Sequence, residues 1–135
     1  MIKQISLDTG PINLLFSPDC PKKIEFLFNS IKKGDVVAHL TGPILTEVYK
    51  HFCVAKGKQY AQDCVAKIIE DYNINKHEIN TSLILKAGML KCRYRKELSY
   101  ADCFLIGLAL LNNYEVHSTE RFPNIKGIKF QKYNF

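Results

Sequence analysis

The chain contains no tryptophan and only two methionines in 135 residues, and what it lacks narrows its class before any motif is considered. Its five cysteines, Cys20, Cys53, Cys64, Cys92 and Cys103, include no C-x-x-C pair. An odd, dispersed set of this kind indicates neither a disulfide framework nor a zinc finger. Cys53, Cys64 and Cys103 sit among apolar residues, as small core hydrophobes do. That usage fits a reducing compartment, so a cytoplasmic location is expected. The longest apolar run, near Cys103 to Leu111, falls well short of the roughly 20 residues needed to span a bilayer. No signal-peptide pattern opens the chain, and no membrane association is expected. There is no low-complexity tract or linker, and a single domain over residues 1–135 is the simplest organisation.

What is present is ordinary for a globular protein: 47% apolar residues, 24% charged, and a net charge of +6. A modest basic excess suits an anionic partner such as nucleic acid without bearing on the fold. Hydrophobic periodicity predicts strands at 2–7, 36–40, 114–118 and 128–132, with a brief one at 72–75. It predicts helices over 11–17, 22–32, 41–55, 58–71, 77–94 and 99–112, the last stopped by Asn112-Asn113. Short strands alternating with helices imply an α/β layer fold with a mainly parallel sheet. Thr-Gly-Pro-Ile occurs at both 9–12 and 41–44, each time between a strand and a helix. This is turn and cap chemistry at the carboxyl ends of strands, where open α/β sheets place their sites.

Four carboxylates stand at such places. Asp8 ends the first strand, where turn capping alone would explain it. Glu47 lies outside the apolar stripe Ile44, Leu45, Val48, Tyr49 and Phe52, beside Lys50 and His51, where a solvated glutamate is the default. Asp102 interrupts the almost wholly apolar Ala101–Leu111 segment. Ser99-Tyr100-Ala101-Asp102 there matches a capping box, and a helix N-terminus favours the ionised form that a metal requires. Glu120 follows the fourth strand beside Arg121, where a solvated ion pair is the plain alternative. If these acids converge, two carboxylates roughly 5 Å apart repel by about 3 kcal/mol at an effective dielectric of about 20. Such a cluster takes up protons or a cation, and hard oxygen donors without clustered His or Cys favour Mg²⁺ or Mn²⁺. The four histidines, His39, His51, His77 and His117, are scattered and expected to be structural or exposed. No Ser/His/Asp or Cys/His arrangement competes. No Gly-rich phosphate loop follows the first strand, which weakens a flavodoxin-like nucleotide-binding reading.

In order and setting, strand-Asp8-Thr9, Leu45-Thr46-Glu47-Val48, Leu98-Ser-Tyr-Ala-Asp102 and Ser118-Thr119-Glu120 resemble the PIN-domain ribonucleases. The similarity is greatest to the VapC-like toxins of prokaryotic toxin–antitoxin pairs, and it runs nearly end to end. The resemblance implies a three-layer α/β/α PIN-like domain whose acids bind Mg²⁺ or Mn²⁺ for hydrolysis of RNA phosphodiesters. By position, Asp8, Glu47, Asp102 and Glu120 would be the catalytic metal ligands, with Thr9, Ser118 and Thr119 as supporting hydroxyls. The family usually carries Asp at the fourth position. The longer arm of Glu120 would shift the ligand of a second metal or leave it water-bridged.

An RNA substrate gives the basic segment Lys91-Cys-Arg-Tyr-Arg-Lys96 a use. Arg93, Arg95 and Lys96 could neutralise phosphates and Tyr94 could stack on a base, while a solvated helix end is the alternative. A protein antitoxin and a homodimer are implied by the resemblance alone. A PIN nuclease of RNA maturation, and a catalytically silent RNA- or protein-binding module of the same fold, remain open alternatives.

Overall fold

A computed structural model describes residues 2–134. In chain order the elements are β1 (Lys3–Leu7), α1 (Thr9–Leu15), α2 (Lys22–Lys33), β2 (Val36–Thr41), α3 (Gly42–Lys56), α4 (Lys58–Asp71), β3 (Asn75–His77), α5 (Thr81–Arg93), α6 (Tyr100–Asn112), β4 (Glu115–Ser118) and β5 (Phe130–Lys132). The strands form one sheet in the order β3-β2-β1-β4-β5, and every adjacent pair is parallel. Steps from β1 to β2 and from β2 to β3 go one way across the sheet, whereas β3 to β4 returns past β1. Right-handed crossovers therefore place α1–α4 over one face and α5–α6 over the other. The Ser6 hydroxyl, donating to the Leu105 carbonyl of α6 at 2.9 Å, marks the second face. Ile5 and Leu7, fully buried, point to the first, as strand alternation requires. The result is the expected three-layer α/β/α sandwich.

Local chemistry accounts for the element ends. α2 buries Ile24, Leu27, Phe28 and Ile31 on one stripe and ends at Gly34, whose φ of 87° is the left-handed conformation glycine tolerates best. α3 buries Ile44, Leu45, Val48 and Phe52, leaving Glu47 outside the stripe. α6 has both halves of the capping box between Ser99 and Asp102 and buries seven of its thirteen residues. It is the central helix that its composition predicts. One region departs from expectation. Residues 75–77, read as a strand end and a helix start, form β3 against β2. The helix begins only at Thr81, because the Asn80 side chain caps it by accepting the Leu83 N–H at 2.9 Å.

The strand order reverses between β1 and β4: β2 and β3 follow on one side of β1, β4 and β5 on the other. At such a switch point the loops leaving neighbouring strands run in opposite directions, opening a crevice at the carboxyl edge. Asp8 leaves β1 and Ser118 closes β4 at that edge.

A candidate metal centre at the carboxyl edge of the sheet

Asp8 is held from both sides of the crevice. Its backbone N–H donates to the His117 carbonyl of β4 at 3.0 Å, extending the β1–β4 ladder by one residue. Its side chain caps α1, one carboxylate oxygen accepting the Thr9 N–H at 2.7 Å and the other the Ser118 hydroxyl at 2.6 Å. The residue is 4% exposed. Burial pushes its carboxyl up from 3.8 to about 6, although both hydrogen bonds oppose the rise and the charges of Asp102 and Glu47 add to it. Capping does not remove Asp8 from the cleft, which the same residue lines.

Asp102 is fixed by its own helix. Its Oδ2 accepts the Ser99 N–H at 3.0 Å while its backbone N–H donates to Ser99 Oγ at 3.1 Å, so one carboxylate oxygen is committed to the cap. Glu120 is tied to the same strand end, its N–H donating to Ser118 Oγ at 2.9 Å. Ser118 therefore accepts from one acid's backbone and donates to another's carboxylate. Although Glu120 keeps an exposed face, partial burial, then the charges of Asp102, Asp8 and Glu47, push its carboxyl up to about 7.

Oxygens of Asp8, Asp102 and Glu120 all lie within 4.8 Å of one another, the one such group of potential metal ligands among the described residues. Glu47 stands outside this trio. Its Oε2 accepts the Thr9 hydroxyl at 3.0 Å, and it lines the same cleft, a cavity of about 700 Å³ between α1, α3 and the end of β4. Of the sequence-predicted hydroxyls, Ser118 engages Asp8 and Thr9 engages Glu47. Thr119 instead packs against Gly10, where any β-carbon would overlap its side chain. Only glycine lets α1 start so close to the β4 loop, and this closeness brings Asp8 and Glu120 together.

Arg93, Tyr94, Arg95 and Lys96 lie at the end of α5 and in the turn before α6, near Asp102 in sequence but outside the cleft lining. Tyr94 packs on the smaller core of Leu90, Leu98 and Ile106. The cleft draws its basic side chains from α3 instead: Lys50 and the imidazole of His51, one helical turn beyond Glu47, face it together with Asn13 of α1. The signal for Lys50 and His51 was their i+3 and i+4 spacing from Glu47. Asn13 follows Thr9 at the same spacing. His39 and His77 meet between β2 and β3 rather than at this site, ring nitrogens 2.6 Å apart.

The donor set fits a divalent cation. Three carboxylates converge on one point, two of them pushed towards neutrality by burial and mutual repulsion. A hard cation would relieve that stress, and all the converging donors are oxygens, as Mg²⁺ or Mn²⁺ prefers.

No protein-family model matches the chain, and no curated protein sequence does. Solved structures do. A chain of VapBC2 from Rickettsia felis, bound to a promoter DNA fragment, aligns with a TM-score of 0.71 at 14% identity, covering 99% of this chain and 100% of that one. DNA-bound VapBC from Salmonella typhimurium aligns at 0.68 and 18% identity, with 98% of each chain covered. Mycobacterium tuberculosis VapC20, a sarcin-ricin loop cleaving toxin, aligns at 0.67 and 14% identity over 84% of this chain and 87% of that one. The fold is that of the VapC-like PIN domains, as the sequence motifs led us to expect.

Proposed function

We propose that this chain is a divalent-metal-dependent endoribonuclease and the toxin member of a toxin–antitoxin pair. The observation that carries the reading is the convergence of Asp8, Asp102 and Glu120 within 4.8 Å, with Glu47 on the wall of the same cleft. Asp8 and Asp102 would hold Mg²⁺ or Mn²⁺ directly. Glu120 would complete the set, through water where its longer arm overshoots. A bound ion supplies Lewis acidity and a more acidic water.

The remaining work falls to the chain. Ser118 and Thr9 orient the Asp8 carboxylate, and the Ser99 cap leaves one Asp102 oxygen free. Thr9 occupies Oε2 of Glu47, so Oε1 is available to take a proton from an attacking water as its oxygen bonds to phosphorus and the ester P–O bond breaks, the departing ribose oxygen taking a proton from solvent. An RNA substrate suits the +6 net charge. The likeness to VapC20, a loop-cleaving toxin, and to VapBC complexes supports RNA cleavage and a protein antitoxin. Exposed Ile84, Leu85 and Met89 of α5 are apolar surface that an antitoxin or a second copy could cover.

The test is cleavage of end-labelled structured and unstructured RNAs in Mn²⁺, Mg²⁺ or EDTA, with Asp102→Asn purified identically. Discrete metal-dependent cuts by the wild type, reduced at least a hundredfold in the variant on the scale of lost electrostatic catalysis, are expected. Failure of the wild type to bind Mn²⁺, together with absence of cleavage, would leave a silent module of the same fold.

A further inference from the structure

Both walls of the cleft repeat at one helical turn. α1 and α3 start at the carboxyl edge of the sheet, Thr9 and Glu47 facing each other across the cleft with a 3.0 Å hydrogen bond between them. One turn further out, about 5.4 Å along each axis, the same faces bring Asn13 to one wall and Lys50 and His51 to the other. The Oδ1 of Asn13 is buried and has no hydrogen-bond partner, although buried carbonyls of this kind are almost always satisfied. Lys50 and His51 are exposed, and neither takes part in a salt bridge among the described residues. A cleft whose inner end is lined by acids repels a polyanion unless its outer end supplies positive charge. Here that charge comes from α3.

We propose that Asn13, Lys50 and His51 form a subsite for the nucleotide next to the scissile phosphate. Lys50 and His51 take that nucleotide's phosphate. Asn13 Oδ1, which gives up no hydrogen bond when the side chain turns outward, then accepts one from its ribose hydroxyl or from a base amine. One turn of helix is close to the step between successive phosphates of an extended strand, so the two levels of the cleft hold two consecutive linkages. The ligand class is a single-stranded oligoribonucleotide rather than a mononucleotide. This inference rests on the nuclease reading and adds where the strand lies.

The experiment measures binding of a fluorescent mixed-sequence single-stranded RNA of about 12 nucleotides in EDTA across a salt series. The wild type is compared with Lys50→Ala, Lys50→Ala/His51→Ala and Asn13→Ala, with Lys33→Ala as a distant control and thermal melts to establish folding. Mn²⁺ binding and cleavage are measured alongside. We expect Lys50→Ala to weaken RNA binding about three- to tenfold and to lower the slope of log Kd against log salt by about 0.7, one single-strand phosphate. The double variant should lose more, Asn13→Ala should weaken binding without changing the slope, and Mn²⁺ binding should be unchanged throughout. Wild-type affinity and slope in the α3 variants, or loss of the whole slope on substituting Arg93, Arg95 and Lys96 instead, would overturn the subsite. So would failure of the wild type to bind the RNA at low salt. A wild type that binds RNA through Lys50 but neither binds Mn²⁺ nor cuts would keep the subsite and remove the nuclease.

Discussion

Asp8 shows how much one side chain can be asked to do. It caps a helix, receives a hydroxyl from the neighbouring strand and, in the apo protein, carries a charge that burial opposes. Because its folded value of about 6 lies above the ordinary 3.8, its contribution to stability is fully present below about pH 4 and is lost as pH rises through 6. The shift corresponds to about 3 kcal/mol. Asparagine can keep the cap without the charge. Apo Asp8→Asn should therefore be more stable than the wild type at pH 8, by on the order of 2–3 kcal/mol in urea unfolding. The gap should close as pH falls towards 4. Added Mn²⁺ should reverse the order by stabilising only the wild type. A variant less stable than the apo wild type at pH 8 would mean that the charge is not the costly element at this position.

Among the elements, α1 owes its placement to one contact. Gly10 sits against Thr119 so closely that a β-carbon would overlap the threonine hydroxyl, its methyl and its own β-carbon. Gly10→Ala should cost roughly 1–3 kcal/mol, as overpacking does, even though alanine is the better helix former. It should also weaken Mn²⁺ binding, because relief of the clash moves Asp8 away from Glu120. Adding Thr119→Gly removes the obstructing atoms and should restore much of both losses in a double-mutant cycle. Additive losses would place the strain elsewhere. The pairing joins the first residues of one helix to a loop that follows the last helix, so no local pattern announces it.

On the scale of the whole molecule, the sheet carries a buried polar network that works against Asp8 as pH changes. His39 of β2 is 5% exposed, meets Gln4 of β1 and His77 of β3 at 2.6 Å each, and stacks on Tyr114. Burial first, and the neighbouring His77 second, lower it from 6.5 to about 4. The folded protein then binds fewer protons than the unfolded chain, so stability present above 6.5 is lost as pH falls through 4, by about 3 kcal/mol. His117, also held low by burial, acts in the same direction, while Asp8 and Glu120 act in the opposite one. His39→Gln should be less stable than the wild type at pH 7, through lost stacking. That deficit should shrink by about 3 kcal/mol as pH is lowered to 4, read from denaturation midpoints at several pH values. Parallel profiles for variant and wild type would show that His39 titrates alike in both states.

Much of this protein was legible one element at a time. The stripe Ile44, Leu45, Val48 and Phe52 defines the buried side of α3, and Ser99 with Asp102 opens α6. Gly34 and Asn113 end α2 and α6 in left-handed turns, because periodicity and capping depend on residues within one or two turns. The boundary before α5 was not legible, since Asn75–His77 gain their strand from β2 rather than from their own sequence. The separate acids of the site could be proposed from where they fall relative to strands and helices. Their meeting was implied only by the family resemblance and by no local pattern, because the distance between strand ends follows from strand order and crossover hand. Only the return of the chain past β1 to β4 sets Ser118 and Glu120 beside Asp8. The same packing decides that Glu47 joins Thr9 rather than the carboxylate trio, and that Lys50 and His51, not Arg93–Lys96, face the cleft. Local pattern is enough to say what each segment is. Which segments share a site is settled by long-range packing, where buried charge and close backbone approach are weighed against the core that surrounds them.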